Sequence, residues 1–258
     1  MDTVTSRDGT TIAFDRLGDG PPVVLVSGGS TDRMANAGLA AELARDHTVY
    51  NYDRRGRGDS GDTLPYAIER EVEDIAAVIE EAGGAANLYG TSSGAALAMH
   101  AAAAGLPVTR LALWEPPYSV SGRPDLPDDT ASVYRELVEA GRRGDAVEYF
   151  MSKVVGLPPE FVADARQAPW WSQQEALAHT LAYDATVMGD YTIPADIARA
   201  VTVPTLIVVG GASFGFMAET ADALAKLIPN AHRATLEGQQ HNVDPTALAP
   251  VLHRFFTA

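Results

Sequence analysis

The chain contains no cysteine. That removes disulfides, thiolate metal sites and cysteine nucleophiles together, and it leaves the redox compartment unreadable. Positive charge is also scarce: 19 Lys and Arg face 34 Asp and Glu, for a formal net charge of −15. Such a chain repels a phosphate backbone or an anionic bilayer on average, so neither nucleic acid nor a membrane surface is an expected partner. No basic segment followed by an apolar run opens the sequence, so no signal peptide is visible. The alanine-rich stretch at residues 95–104 is too short to span a bilayer. A cytoplasmic protein is the default expectation. No histidine pair has metal-ligand spacing and no P-loop occurs, so neither a metal nor another cofactor is expected.

What is present is an ordinary globular composition, 46% hydrophobic and 21% charged over 258 residues, enough for one large domain or a domain with an insertion. Asp8-Gly9, between two short alternating runs, predicts a two-residue hairpin turn. Apolar runs at 22–27 and 48–52 each stop at a glycine-containing loop, as strands buried on both faces of a parallel sheet do. Residues 33–45 have helical spacing. Residues 68–81 form a clearer amphipathic helix, with Val72, Ile75, Val78 and Ile79 on one stripe. Strand and helix alternate again over 86–114 and 205–256. This rhythm predicts a doubly wound, mostly parallel α/β sheet.

Residues 118–195 break the rhythm. They contain no convincing strand and predict helices at 130–140, 145–154, 159–167 and 173–188. An all-helical insertion between parallel strands would sit over the carboxyl ends of the sheet, where such folds bind ligands. The expected organisation is a core of residues 1–117 and 196–258 with a helical lid at 118–195.

Gly90-Thr91-Ser92-Ser93-Gly94 falls between a predicted strand and a predicted helix. The G-x-S-x-G pattern needs small residues two before and two after the serine, because the turn brings strand and helix backbones close together. It leaves the serine strained, with its hydroxyl above the sheet. The Ser93 amide then lies at a helix N-terminus and can help to bind an oxyanion. Ser92 is the candidate nucleophile.

The order of elements, the turn at Ser92 and the loop Tyr52-Asp53-Arg54-Arg55-Gly56-Arg57-Gly58-Asp59-Ser60 together resemble the α/β-hydrolase superfamily over nearly the whole chain. The resemblance implies the α/β-hydrolase fold and a hydrolytic default, but no substrate. It assigns Val26-Ser27-Gly28-Gly29 to the oxyanion loop, with the Gly29 amide as the donor beside that of Ser93. Many relatives carry histidine where this chain has Ser27.

The family order also implies a histidine on the loop after the last strand, and Leu236-Glu237-Gly238-Gln239-Gln240-His241 supplies it. A serine nucleophile needs such a neutral imidazole to take its proton. The acid departs from the pattern. Relatives place an aspartate just after the seventh strand, where this chain has Ser213, which cannot carry charge. Glu115, in Trp114-Glu115-Pro116-Pro117, is the expected replacement: it ends the strand beside the nucleophile strand, and Pro116 should keep it extended.

Candidate substrate contacts are Ser27, Trp114, Trp170, Trp171 and Tyr183, although most insertion aromatics are expected to form the insertion's own core. Gly56-Arg57-Gly58-Asp59-Ser60-Gly61 mimics a dinucleotide motif, but loop residues follow it instead of a helix. Arg54, Arg55 and Arg57 are expected to pair with acidic neighbours in their own loop. The expected activity is hydrolysis of a small to medium, largely apolar ester, thioester or lactone through a Ser92 acyl-enzyme, with His241 as base. The alternatives are a C–C bond hydrolase, a lyase or cyclase on the same scaffold, and an inactive small-molecule binder. The expected partner is a small-molecule substrate, and a homodimer is compatible with the sequence.

Overall fold

The computed structural model describes residues 1–258. The chain opens with strands β1 (Asp2–Thr5) and β2 (Thr11–Leu17), paired antiparallel. The turn between them is longer than expected. Ser6 N donates to Thr10 O at 2.8 Å, which leaves Arg7, Asp8 and Gly9 as the loop. Gly9 takes a positive φ of 89°, the usual way to close a three-residue hairpin.

Strands β3 (Pro22–Val26), β4 (Thr48–Tyr52), β5 (Ala86–Thr91), β6 (Val108–Trp114), β7 (Thr205–Gly210) and β8 (Ala231–Leu236) complete one eight-stranded sheet. The strand order is β1-β2-β4-β3-β5-β6-β7-β8, and every pair beyond β2–β4 is parallel. Side chains alternate between the two faces. Val24, Val26, Leu88, Leu111, Leu113, Ile207 and Val209 share one core with helices α2 (Ile68–Glu81), α3 (Ser93–Ala103), α9 (Ala195–Ala200) and α10 (Gly215–Leu227). Val23, Leu25, Val49, Tyr89, Ala112, Trp114 and Val208 face α1 (Ala37–Leu43) and α11 (Pro245–Phe256). This is the doubly wound α/β-hydrolase architecture.

Where the helical pattern failed in detail, local hydrogen bonds explain it. The helix expected at 33–45 begins as a 3-10 turn, Arg33–Asn36, because Asp32 accepts from Met34 N and Asn36 leaves helical geometry (φ −95°, ψ 1°). The segment expected as one helix at 173–188 is two, α7 (Trp171–Leu177) and α8 (Leu181–Met188). The Thr180 hydroxyl bonds back to Leu177 O at 2.8 Å within the 3-10 turn Ala178–Thr180 that joins them. Between β6 and β7 lie also α4 (Thr130–Glu139), α5 (Arg143–Tyr149), a π-helical turn (Phe150–Val154) and α6 (Pro159–Arg166), with no strand. Eleven buried residues, among them Tyr134, Val147, Trp171, Leu181 and Tyr183, form a separate apolar cluster there. Helix α8 ties this cluster to the rest: Tyr183 stacks on Tyr66 at 4.1 Å, while Val187 and Met188 enter the main core.

Candidate active site

Ser92 is the hinge between β5 and α3, with φ 54° and ψ −127°. Only glycine visits that region freely, so holding a serine there costs on the order of 1–3 kcal/mol. The surroundings enforce it. Ser92 N donates to Trp114 O at 2.9 Å, extending the sheet ladder, while Ser92 O already accepts from Ala95 and Ala96. A Cβ on Gly90 would strike Gly94 O and stand 2.6 Å from Ala95 Cα; one on Gly94 would strike Ser27 O. The small residues of the motif are thus required by backbone contact.

Glu115 follows β6 directly and is buried. It is not extended as expected: its φ is 44°. Its amide still reaches Val208 O at 3.2 Å, and the chain then turns so that the carboxylate crosses the end of β7. There Oε1 accepts from Gly210 N at 2.8 Å. Oε2 accepts from the Ser213 hydroxyl at 2.8 Å and lies 2.6 Å from His241 Nδ1. Ser213, at the position where an aspartate was expected, thus donates to the Glu115 carboxylate. His241 is one-third exposed, and Trp114 Nε1 donates to its carbonyl at 2.9 Å. With Glu115 accepting at Nδ1, the neutral ring keeps its proton on Nδ1 and leaves Nε2 free to accept.

On the other side of Ser92 lies the loop after β3. A Cβ on Gly28 would come within 3.2 Å of Ser92 Cβ, so this backbone passes directly beside the Ser92 turn. Beneath it sits a buried ionic cluster. Arg54 forms a two-pronged contact with Glu71, at 2.7 Å on each prong, and donates to Asp184 Oδ1 at 2.8 Å. Arg57 donates to the same oxygen at 2.8 Å and to Gly28 O at 2.6 Å. Arg55 pairs with Asp74 and Asp8. The arginines' acidic partners thus come from α2, α8 and the first hairpin, and none from their own loop. Burial alone would raise the Asp184 and Glu71 carboxyls. Arg57 and Arg54 beside Asp184, and chiefly Arg54 beside Glu71, outweigh it and hold both below the ordinary carboxylate range.

Ser92, His241, Gly28 and Gly29 share one cavity of about 370 Å³. Its walls include Leu39, Phe150, Val154, Val155, Phe214 and Met217, with Asn36 and Tyr191 among the polar members. Asn36 is buried, and its Nδ2 has no hydrogen-bond partner.

None of the five expected substrate contacts lines this cavity. Ser27 and Trp114 are wholly buried, Trp114 beneath His241. Trp171 and Tyr183 belong to the insertion's own core, with Tyr183 Oη donating to Asp62 at 2.7 Å. Trp170 is 40% exposed and lies outside the lining. Sequence reasoning missed the real apolar wall. Its one signal was the aromatic pair Phe214 and Phe216, immediately after the Ser213 position.

The model of the alpha/beta hydrolase family matches residues 23–251. An alpha/beta hydrolase from Sphaerobacter thermophilus DSM 20745 is 57% identical, with a TM-score of 0.92 over 99% of this chain and 100% of that one. A malate-bound thermophilic esterase from Thermogutta terrifontis is 24% identical (TM-score 0.75, covering 99% of this chain and 97% of its own). An enol-lactonase from Burkholderia xenovorans LB400 is 21% identical (TM-score 0.74, with both chains fully covered). At those identities the last two share the fold. No curated protein matches the chain. With a family match across most of its length and a close structural relative over nearly all of it, this chain belongs to the alpha/beta hydrolase family.

Proposed function

We propose that the protein hydrolyses a small to medium, largely apolar ester, thioester or lactone through an acyl-enzyme on Ser92. The observation that carries this reading is the 2.6 Å contact between Glu115 and His241 on the rim of the cavity that Ser92 lines. An uncharged Ser213 in the expected aspartate position, with nothing in its stead, would favour a C–C bond hydrolase, a lyase or a cyclase that needs no acyl-enzyme. A buried carboxylate on the imidazole removes that argument.

In this reading His241 Nε2 takes the Ser92 proton as Oγ attacks the carbonyl carbon. Glu115 stabilises the imidazolium that forms. The Gly29 and Ser93 amides receive the negative charge on the carbonyl oxygen. His241 then returns the proton to the leaving alkoxide or thiolate, and water repeats the sequence to release the acid. A mostly apolar cavity of about 370 Å³ suits a substrate of modest size. The esterase and the enol-lactonase that share the fold act on bonds of this type by name.

The reading is tested by intact-mass spectrometry after treatment with a fluorophosphonate. The wild-type chain gains one adduct, which peptide mapping places on Ser92. Ser92→Ala gains none and loses ester turnover by about 10⁴-fold or more. An adduct on another residue, or turnover that survives in Ser92→Ala, defeats the reading.

A further inference from the structure

Two residues of the helical insertion grip the loop that carries the Gly29 amide. Ser30 is left-handed, with φ 55°, although it is not glycine. Its amide donates to Asp184 Oδ2 at 3.3 Å, and its hydroxyl donates to Gln174 Oε1 at 2.6 Å. The other Asp184 oxygen accepts the Ser93 hydroxyl at 2.8 Å. A Cβ on Gly29 would stand 3.1 Å from Asp184 Oδ2 and 3.4 Å from Ser93 Oγ. One carboxylate therefore fills the space between the two residues whose amides are assigned to the oxyanion. Asp184 is fixed in turn by Arg54 and Arg57, both fully buried. Neither Asp184 nor Gln174 lines the cavity that Ser92 and His241 share.

A serine leaves the left-handed region readily unless something holds it there, whereas glycine occupies that region without strain. We propose that Asp184 and Gln174 are positioning residues that clamp Ser30 in its left-handed turn. The clamp sets the Gly29 amide opposite that of Ser93. The insertion is then a structural part of the oxyanion hole as well as a wall of the cavity. The proposal rests on the acyl-enzyme reading above.

The Ser30 position tests it with the full chain. Ser30→Ala loses the bond to Gln174 but keeps the strain; Ser30→Gly loses the same bond and the strain with it. Hydrolysis of p-nitrophenyl butyrate is measured for both, for Gln174→Ala, and for Gln174→Ala with Ser30→Gly, alongside each melting temperature. Ser30→Ala and Gln174→Ala lower kcat about tenfold with KM nearly unchanged, because only the transition state uses the oxyanion donors. Ser30→Gly, alone or added to Gln174→Ala, stays within about threefold of wild type. This series decides the matter without Asp184→Asn, which strips Arg54 and Arg57 of a buried counter-charge and risks unfolding. Equal losses in Ser30→Ala and Ser30→Gly overturn the clamp, as do losses that appear in KM or follow melting temperature, and the Ser92 reading then stands. Turnover surviving in Ser92→Ala, or a wild-type chain inert to ester and phosphonate alike, defeats that reading and the clamp together.

Discussion

The two sides of Ser92 are built by different means. On the acid side every contact comes from the core. Glu115 ends β6, Gly210 ends β7, and Ser213 and His241 follow β7 and β8. Strand register alone brings them level, since Trp114 pairs with both Thr91 and Val208. The side formed by the loop after β3 depends on buried charge: Arg54 and Arg57 meet Asp184 across 130 and 127 residues of sequence. A damaged register contact would spoil the chemistry and leave the fold, whereas a damaged buried ion pair spoils the fold first.

The largest effect that tests this contrast is on rate. Glu115→Gln removes the charge facing the imidazolium and lowers kcat about 10³-fold, with little change in the urea midpoint. A comparable loss of stability would mean that the acid side also holds the fold. The next effect is on stability. Glu71→Gln leaves Arg54 with one carboxylate fewer in a buried site and costs about 3 kcal/mol in urea unfolding, while the folded fraction keeps its kcat.

A third effect concerns pH. Asp184 and Glu71 are both depressed in the folded state. Their stabilising contribution is therefore complete above the ordinary carboxylate pKa and is lost as pH falls through the lower, folded-state values. Melting temperature measured against pH falls steeply below about pH 4 in the wild type and less steeply in Glu71→Gln. Equal slopes would separate the cluster from acid unfolding. The smallest effect is at Ser213. Glu115 keeps its bonds to Gly210 and His241 without the hydroxyl, so Ser213→Ala changes kcat by no more than about threefold.

The core and the strained turn at Ser92 were legible in the sequence because both are local. Apolar runs ending at glycine mark buried strands, and the stripe of Val72, Ile75, Val78 and Ile79 gives helix α2 with its observed ends, Ile68–Glu81. The position of Glu115 at a strand end could be read in the same way, although its left-handed turn could not, since nothing local requires it. Asp184 was illegible. It sits in the first turn of α8, where an acidic residue needs no further explanation, and its partners are 91 to 154 residues away. The aromatic residues misled for a related reason. Trp171 and Tyr183 are large enough to form the insertion's own core, and the cavity wall falls instead to Phe150, Val154 and Val155 at the π-helical turn.

The shared Asp184 oxygen bears on how interchangeable the segment between β6 and β7 can be. Excising it, or grafting in its place the corresponding segment of another protein, would leave two guanidinium groups facing an empty pocket. A successful chimera must bring its own acceptor to that spot, or replace Arg54 and Arg57 by apolar side chains at the same time. In this molecule the most exchangeable-looking stretch of chain supplies the one carboxylate oxygen on which two buried arginines of the scaffold converge.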